Sequence, residues 1–468
     1  MSEIRIFQGN QIGGCVTVIS TVYKGEMHRI MIDYGSSLPG SGREEDFQYP
    51  WKDEPVDAVF FTHYHGDHSG RLMEIPEDIP LYMGATARRV MLNIHEALGK
   101  SEKVEDAAEH RKEAALLNDK KRVHEFKRKG SHYETIKLPG FSIEPYSVDH
   151  SAYDAYMFLI EADENGGGKY RILHTGDFRG HGRRGKVMLP IIESYVHRFG
   201  DRKVDALVIE GTMMSRSGER VMSETEMQIE AAKYLHQHKW AFLICSSTNL
   251  DSLASFYQAA QMTDRRYGRY MYVYSEYFRK QLELFTKTAG SFTDVYEFEK
   301  VKRLSDMDKI PPGQKTATPM TQREMMEKFG FLAIIKPEDF CEAYIDMFVD
   351  AYKEGRIDEP PVLIYSMWEG YVREYLITEN GGRLPNKAKN DQWISFLQRQ
   401  EKKGVEINYL HTSGHASVKV LTDVINAVDP QDKIYPMHTE CAEDFKELAI
   451  KEELKDRIVI EGGYNNGI

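Results

Sequence analysis

The hydrophobic pattern of this chain is a series of short apolar runs that end abruptly on polar or ionisable residues. Asp57-Ala58-Val59-Phe60-Phe61-Thr62 runs into His63, and Tyr170-Arg171-Ile172-Leu173 into His174-Thr175-Gly176-Asp177. Asp205-Ala206-Leu207-Val208-Ile209 runs into Glu210, Ile407-Asn408-Tyr409-Leu410 into His411, and Lys433-Ile434-Tyr435-Pro436-Met437 into His438. Runs of this kind predict buried strands. Their far ends are loops held on a rigid sheet, a usual place for catalytic groups.

Between about residues 84 and 128 the pattern turns helical, over Ala85 to Leu98 and again over Val104 to Phe126. The basic stretches Lys120-Lys121-Arg122 and Lys127-Arg128-Lys129 read there as a solvated helix face. From about 222 to 400, helix and strand patterns alternate. Met222 to His238 is amphipathic, Trp240 to Cys245 strand-like, Leu253 to Met262 helical, and Tyr270 to Tyr274 and Pro361 to Tyr365 strand-like. This alternation predicts an α/β insert with a partly parallel sheet, and Ile310-Pro311-Pro312 and Glu359-Pro360-Pro361 are loops within it.

Composition changes the picture in three ways. With 468 residues, 41% hydrophobic and 29% charged, the chain is long enough for two or three soluble domains. A net charge of −12 excludes a globally basic nucleic-acid binder, although bound cations and local basic patches can still hold phosphates. Cys15, Cys245, Cys341 and Cys441 are far apart and in no metal-finger spacing, which fits a reducing cytoplasm. The opening MSEIRIFQGN has no basic segment leading into an apolar one, and no apolar run approaches the roughly 20 residues that span a bilayer. A cytoplasmic chain without a membrane partner is expected.

The strongest chemical signal is Thr62-His63-Tyr64-His65-Gly66-Asp67-His68. Histidines at i and i+2 after a strand point the same way, and an Asp-His pair after a glycine turn opens the next helix. Imidazoles with a carboxylate suit zinc, manganese or iron. One loop cannot complete two coordination spheres, so further ligands are expected at other strand ends. His150, Asp177 and His438 are the candidates.

In this order His63, His65, Asp67, His68, His150 and Asp177 resemble the successive metal motifs of the metallo-β-lactamase superfamily, and Asp33 resembles its early supporting aspartate. Glu210-Gly211-Thr212, His415 and His438 resemble the three further motifs of the β-CASP nucleases, most of all the ribonuclease J-like RNA-processing enzymes. DNA-processing members replace the last histidine with an apolar residue; this chain keeps it. Ribonuclease J-like chains carry an arginine after a Ser-Asn pair in a strand–loop–helix segment of the insert; Ser246-Ser247-Thr248-Asn249-Leu250-Asp251-Ser252 has no arginine there.

The resemblance implies an α/β fold: an αββα sandwich over 1–215 and 401–468, with a β-CASP domain inserted over 216–400. It implies two divalent metal ions, zinc in the first place and manganese as the alternative. His63, His65 and His150 would hold one; Asp67, His68 and His438 would hold the other, with Asp177 bridging. The implied activity is RNA cleavage by attack of a metal-bound hydroxide on phosphorus, with His415, oriented by Glu210, assisting the leaving group and Asp67 essential to turnover. A hydrolase of a small phosphoester or other ester is the alternative. His411, Ser413, Gly414, Ala416 and Ser417 resemble a loop that cradles a substrate phosphate. Arg179, Arg183, Arg184 and Lys186 either hold the nucleic-acid backbone or form a solvated loop. The expected partner is RNA, single-stranded in preference; the oligomeric state is left open, a dimer included.

Overall fold

The computed structural model describes residues 2–38, 47–100, 106–164, 167–263, 269–311, 318–368, 371–372 and 387–460. They divide into two compact units, one of residues 1–221 with 414–468 and one of residues 222–413.

The first unit holds two six-stranded sheets. In one, β1 (Glu3–Phe7), β2 (Val16–Tyr23), β3 (Glu26–Ile32), β4 (Ala58–Phe60), β5 (Leu81–Met83) and β6 (Val123–Glu125) lie side by side in chain order. The first three pair antiparallel; from β3 onward the pairing is parallel. A small hairpin, β7 (Arg128–Lys129) and β8 (His132–Tyr133), leads to the second sheet. That sheet contains β9 (Ile136–Leu138), β10 (Phe141–Val148), β11 (Ala155–Asp163), β12 (Lys169–His174) and β13 (Ala206–Glu210). Its edge beyond β13 is β20 (Lys433–Met437), paired parallel, so the last strand of the chain completes a sheet begun some 300 residues earlier.

Alternation along the strands sorts side chains between two cores. Phe158, Ile160 and Ala162 of β11 join Ile19, Ile30, Ile32 and Phe60 of the first sheet in one buried cluster, with the Phe60 and Phe158 rings 5.9 Å apart. Met157 and Leu159 face the other way, onto Leu421, Val424, Ile425 and Val428 of the helix Val418–Val428. The other helices of this unit include α1 (Gly66–Ser69), α2 (Ala85–Gly99) and α3 (Ala107–Asn118). The architecture is an α/β sandwich, as the resemblance implies. No helix among the described residues is long and apolar enough to cross a membrane.

The helix predicted from Val104 to Phe126 is shorter. Val104 lies outside the described residues, α3 ends at Asn118, and Val123–Glu125 is a strand. Pairing to β5 overrides local propensity there, because it buries Val123 and completes the sheet edge. The basic stretches are accordingly not a helix face: Arg122 donates to the carbonyls of Ile75 and Pro76, and Arg128 and Lys129 form β7.

In the second unit β14 (Trp240–Cys245), β15 (Met271–Val273), β16 (Val301–Arg303), β17 (Phe331–Ile335), β18 (Val362–Ser366) and β19 (Glu406–Tyr409) form a sheet ordered β16-β15-β17-β14-β18-β19. Every pair in it is parallel, so the sheet expected to be partly parallel is parallel throughout its described strands. Residues 401–413, assigned from the sequence to the closing part of the sandwich, belong here because β19 pairs with β18. Asn249 accepts the Ser252 N–H at 3.2 Å and starts the helix Leu250–Met262, which gives Asn249 a local capping role. Pro311 lies in a loop and Pro312 outside the described residues.

Phe158→Ala removes a ring from the core between the two sheets and should lower the unfolding free energy by about 3–5 kcal/mol. Chemical denaturation of metal-free protein reads this directly. A loss below about 1 kcal/mol would contradict a close-packed contact between the sheets.

Candidate metal centre

The loop after β4 is tightly held. Gly14 N–H donates to Asp67 O at 3.0 Å, Tyr34 N–H to His68 O at 2.9 Å, and Ser36 N–H to Gly66 O at 3.0 Å. A Cβ on Gly35 would stand 2.0 Å from the Asp67 backbone, so only glycine lets the two loops approach this closely. These bonds hold His65, Asp67 and His68 at the mouth of the first sheet, while β10, β12 and β20 deliver His150, Asp177 and His438.

Every candidate ligand named from the sequence is brought into one cluster. His63, His65 and His150 form one convergent set, and Asp67, His68 and His438 another. Asp177 lies with His63 and His68 on one side and with His150 and His415 on the other. His65 Nδ1 is 3.1 Å from His63 Nε2 and 3.2 Å from His150 Nε2. His68 Nε2 is 3.2 Å from Asp177 Oδ2, and His438 Nε2 is 3.3 Å from Asp67 Oδ2.

Four of the five imidazoles are oriented in the same manner. His68 Nδ1 donates to Asp33 Oδ2 at 2.8 Å, His150 Nδ1 to Gly414 O at 2.7 Å, and His438 Nδ1 to Thr212 Oγ1 at 2.8 Å. His63 Nδ1 is 3.1 Å from Thr62 Oγ1, whose own proton goes to Asp33 Oδ2 at 2.7 Å. Each of these contacts occupies Nδ1 and leaves Nε2 facing the cluster, the usual arrangement around a ligating histidine. His438 Nε2 also accepts the Gly13 N–H at 3.0 Å. Thr62 and Thr212 were not singled out as supports from the sequence; a hydroxyl beside a ligand carries no distinctive pattern.

The electrostatics fit a bound cation. Burial, reinforced by neighbouring imidazoles, pushes His63 and His150 well below the ordinary histidine range and His65 down to about 4, so their lone pairs are available. Burial works against ionisation of Asp67 and Asp177, yet the surrounding imidazoles outweigh it and hold both below the usual carboxylate range. Burial likewise opposes charge on His68, but Asp177, Asp67 and Asp33 lift it well above its ordinary value. The group of acids thus demands positive charge at the position where a cation would sit. His65 Nδ1 faces the Nε2 atoms of His63 and His150 at 3.1 and 3.2 Å, close to the spacing of tetrahedral ligands at zinc–nitrogen bonds of about 2.0–2.1 Å. His68 Nε2 and Asp177 Oδ1 are buried and make no hydrogen bond among the described residues. The residues present fit a divalent metal.

His415 lies beside this cluster, with Nδ1 3.4 Å from Glu210 Oε1 and 3.5 Å from Asp177 Oδ2. Burial disfavours its charged form, but Glu210 and Asp177 prevail and raise it. Glu210 is fully buried and accepts Ala416 N–H at 3.1 Å and Thr212 N–H at 3.0 Å. Within the expected phosphate loop, then, Ala416 N–H is directed at Glu210. Gly414 O receives His150, and Ser417 Oγ accepts Val420 N–H as the cap of the helix Val418–Val428. His411 and Ser413 belong to the second unit.

Arg179 is a correction. It is completely buried, with Nε 3.0 Å from Asp149 Oδ1, and Asp149 also accepts Arg184 N–H at 2.5 Å. It therefore anchors the loop that carries His150 and does not reach a ligand. Arg184 lies over the Tyr153 ring, and Lys186 is exposed.

Residues 13–148 match the metallo-beta-lactamase superfamily, and residues 403–460 match the Zn-dependent metallo-hydrolase RNA specificity domain. The chain thus carries a metallo-β-lactamase superfamily domain joined to this RNA specificity domain. Its fold is similar over nearly the whole length to that of a protein of unknown function from Enterococcus faecalis V583. The two are 18% identical, with 94% of this chain and 95% of that chain covered and a TM-score of 0.60. Partial likeness extends to MEM-A1, a subclass B3 metallo-beta-lactamase from a soil metagenome library, at 14% identity over 44% of this chain and 75% of that one, with a TM-score of 0.25. No curated protein matches the chain.

Arg179→Ala strands the Asp149 carboxylate in the interior and should destabilise the first unit by about 3–5 kcal/mol. Thermal or chemical unfolding checks it. Unchanged stability combined with weaker nucleic-acid binding would instead return Arg179 to the role first read for it.

Proposed function

We propose that the chain is a metal-dependent phosphodiesterase that hydrolyses RNA, with residues 222–413 acting as a β-CASP insert. The observation that carries this reading is the His415–Glu210 pair set beside a complete cluster of candidate ligands. A metallohydrolase acting on a small ester needs no such pair. The match to an RNA specificity domain over 403–460 and the retained His438 point the same way.

In this reading His63, His65 and His150 hold one divalent cation, zinc before manganese, and Asp67, His68 and His438 hold a second, with Asp177 shared. Two bound cations lower the pKa of water and neutralise charge on the phosphoryl oxygens. The chain's own residues do the rest. Asp33, Thr62, Thr212 and Gly414 O keep the imidazoles in the orientations described above. Glu210 faces His415 Nδ1 and orients the ring, leaving Nε2 to hold the proton that the departing alkoxide requires. A substrate phosphate would meet the main chain at Gly414, since small residues let a phosphate approach the backbone.

The test is cleavage of end-labelled RNA by zinc- or manganese-loaded protein. Asp67→Ala should abolish it. His415→Ala should retain metal and slow cleavage by about 10²- to 10⁴-fold, the usual worth of a positioned general acid. RNA left intact while a small phosphodiester is hydrolysed would favour the small-ester hydrolase instead. Loss of metal from the His415 variant would make it a ligand, a role its place near His150 and Asp177 also permits.

A further inference from the structure

A second convergence of ligating side chains lies on α2 and α3, which contribute nothing to the cluster around Asp177. His95 is in the last turns of α2. His110 and Glu113 stand three residues apart on α3, the spacing that places two side chains on one helix face. His95 Nδ1 and His110 Nδ1 are 3.1 Å apart. Glu113 Oε2 is 2.8 Å from His110 Nδ1 and also contacts His95 Nδ1. The three side chains are 15%, 22% and 15% exposed, sheltered from bulk water yet open enough for an ion to enter.

Protons serve this triad poorly. If both imidazoles donate to Oε2, two N–H dipoles point side by side across 3.1 Å. If one nitrogen donates to the other, the carboxylate loses a contact. A divalent cation engages all three atoms at once. Two imidazoles with one carboxylate suit zinc, and such a set commonly leaves a fourth position to water. The pairing also has mechanical sense. α3 buries only Ala114, Leu116 and Leu117, and its hydrogen bonds to α2 include Arg111 Nη1 donating to Gly99 O at 2.7 Å and Arg88 Nη1 donating to Leu117 O at 2.8 Å.

We propose that His95, His110 and Glu113 form a separate site for a divalent transition cation, zinc in the first place, that clamps α3 to α2. This holds whether or not the chain cleaves RNA.

The experiment is equilibrium dialysis of the full chain against zinc, comparing wild type with His95→Ala/His110→Ala and with Glu113→Gln. Hydrogen exchange over α3 is followed in the same samples. Wild type should retain one more zinc per chain than the double variant, and zinc should slow exchange in α3 of wild type only. Glu113→Gln, which keeps the side-chain shape, should bind that extra zinc at least about tenfold more weakly, the loss that even an outer partner of a ligand causes. Equal zinc content in wild type and a folded double variant overturns the proposal. If the double variant does not fold, unchanged zinc affinity and unchanged α3 protection in Glu113→Gln overturn it equally.

Discussion

The structure of the first unit turns on an electrostatic constraint: Asp33, Asp67 and Asp177 are gathered around one buried imidazole, His68. Carboxylates in a dry interior are costly unless positive charge meets them. Protein groups supply part of it, since His68 is lifted well above its ordinary value by these same three neighbours. The remainder of the cluster is arranged differently. His63, His65 and His150 are kept neutral. A site in which acids are ionised and three imidazoles are neutral fits a divalent cation that the chain itself does not provide.

The fold meets that constraint by bringing strand ends from both sheets to one place. The first sheet contributes the loop after β4, and the second contributes the ends of β10, β12, β13 and β20. Because β20 pairs with β13, His438 and Glu210 arrive on adjacent strands although 228 residues separate them in the chain (438 − 210). The insertion of a whole unit between them is tolerated because both ends are fixed by ladder pairing. The Arg179–Asp149 pair does similar work at the His150 loop, where a buried charge pair holds one backbone turn in register.

The candidate ligands were legible because H-x-H-x-D-H concentrates ligating types in the loop after one apolar run, and because Asp177 and His438 follow other runs readable as strands. Elements whose state depends on a distant partner were harder to read. Val123–Glu125 is strand only because β5 lies beside it, so its Ala- and Lys-rich approach read as helix. Arg179 read either as a nucleic-acid contact or as part of a solvated loop, since nothing local announces a buried Asp149. Ala416 and Ser417 read as part of a phosphate cradle by resemblance, while the capping of the helix by Ser417 and the Ala416 contact to Glu210 carry no linear signal. His95, His110 and Glu113 escaped notice because their spacing is divided between two helices and matches no linear motif.

The central claim is that the cluster holds two divalent cations. Anomalous diffraction at the zinc edge from crystals grown with zinc tests it most directly. The account predicts two peaks flanking the Asp177 carboxylate, one among His63, His65 and His150 and one among Asp67, His68 and His438, about 3.5–4 Å apart as in other two-metal sites. Absence of density in the cluster, or peaks confined to other parts of the chain, would contradict it.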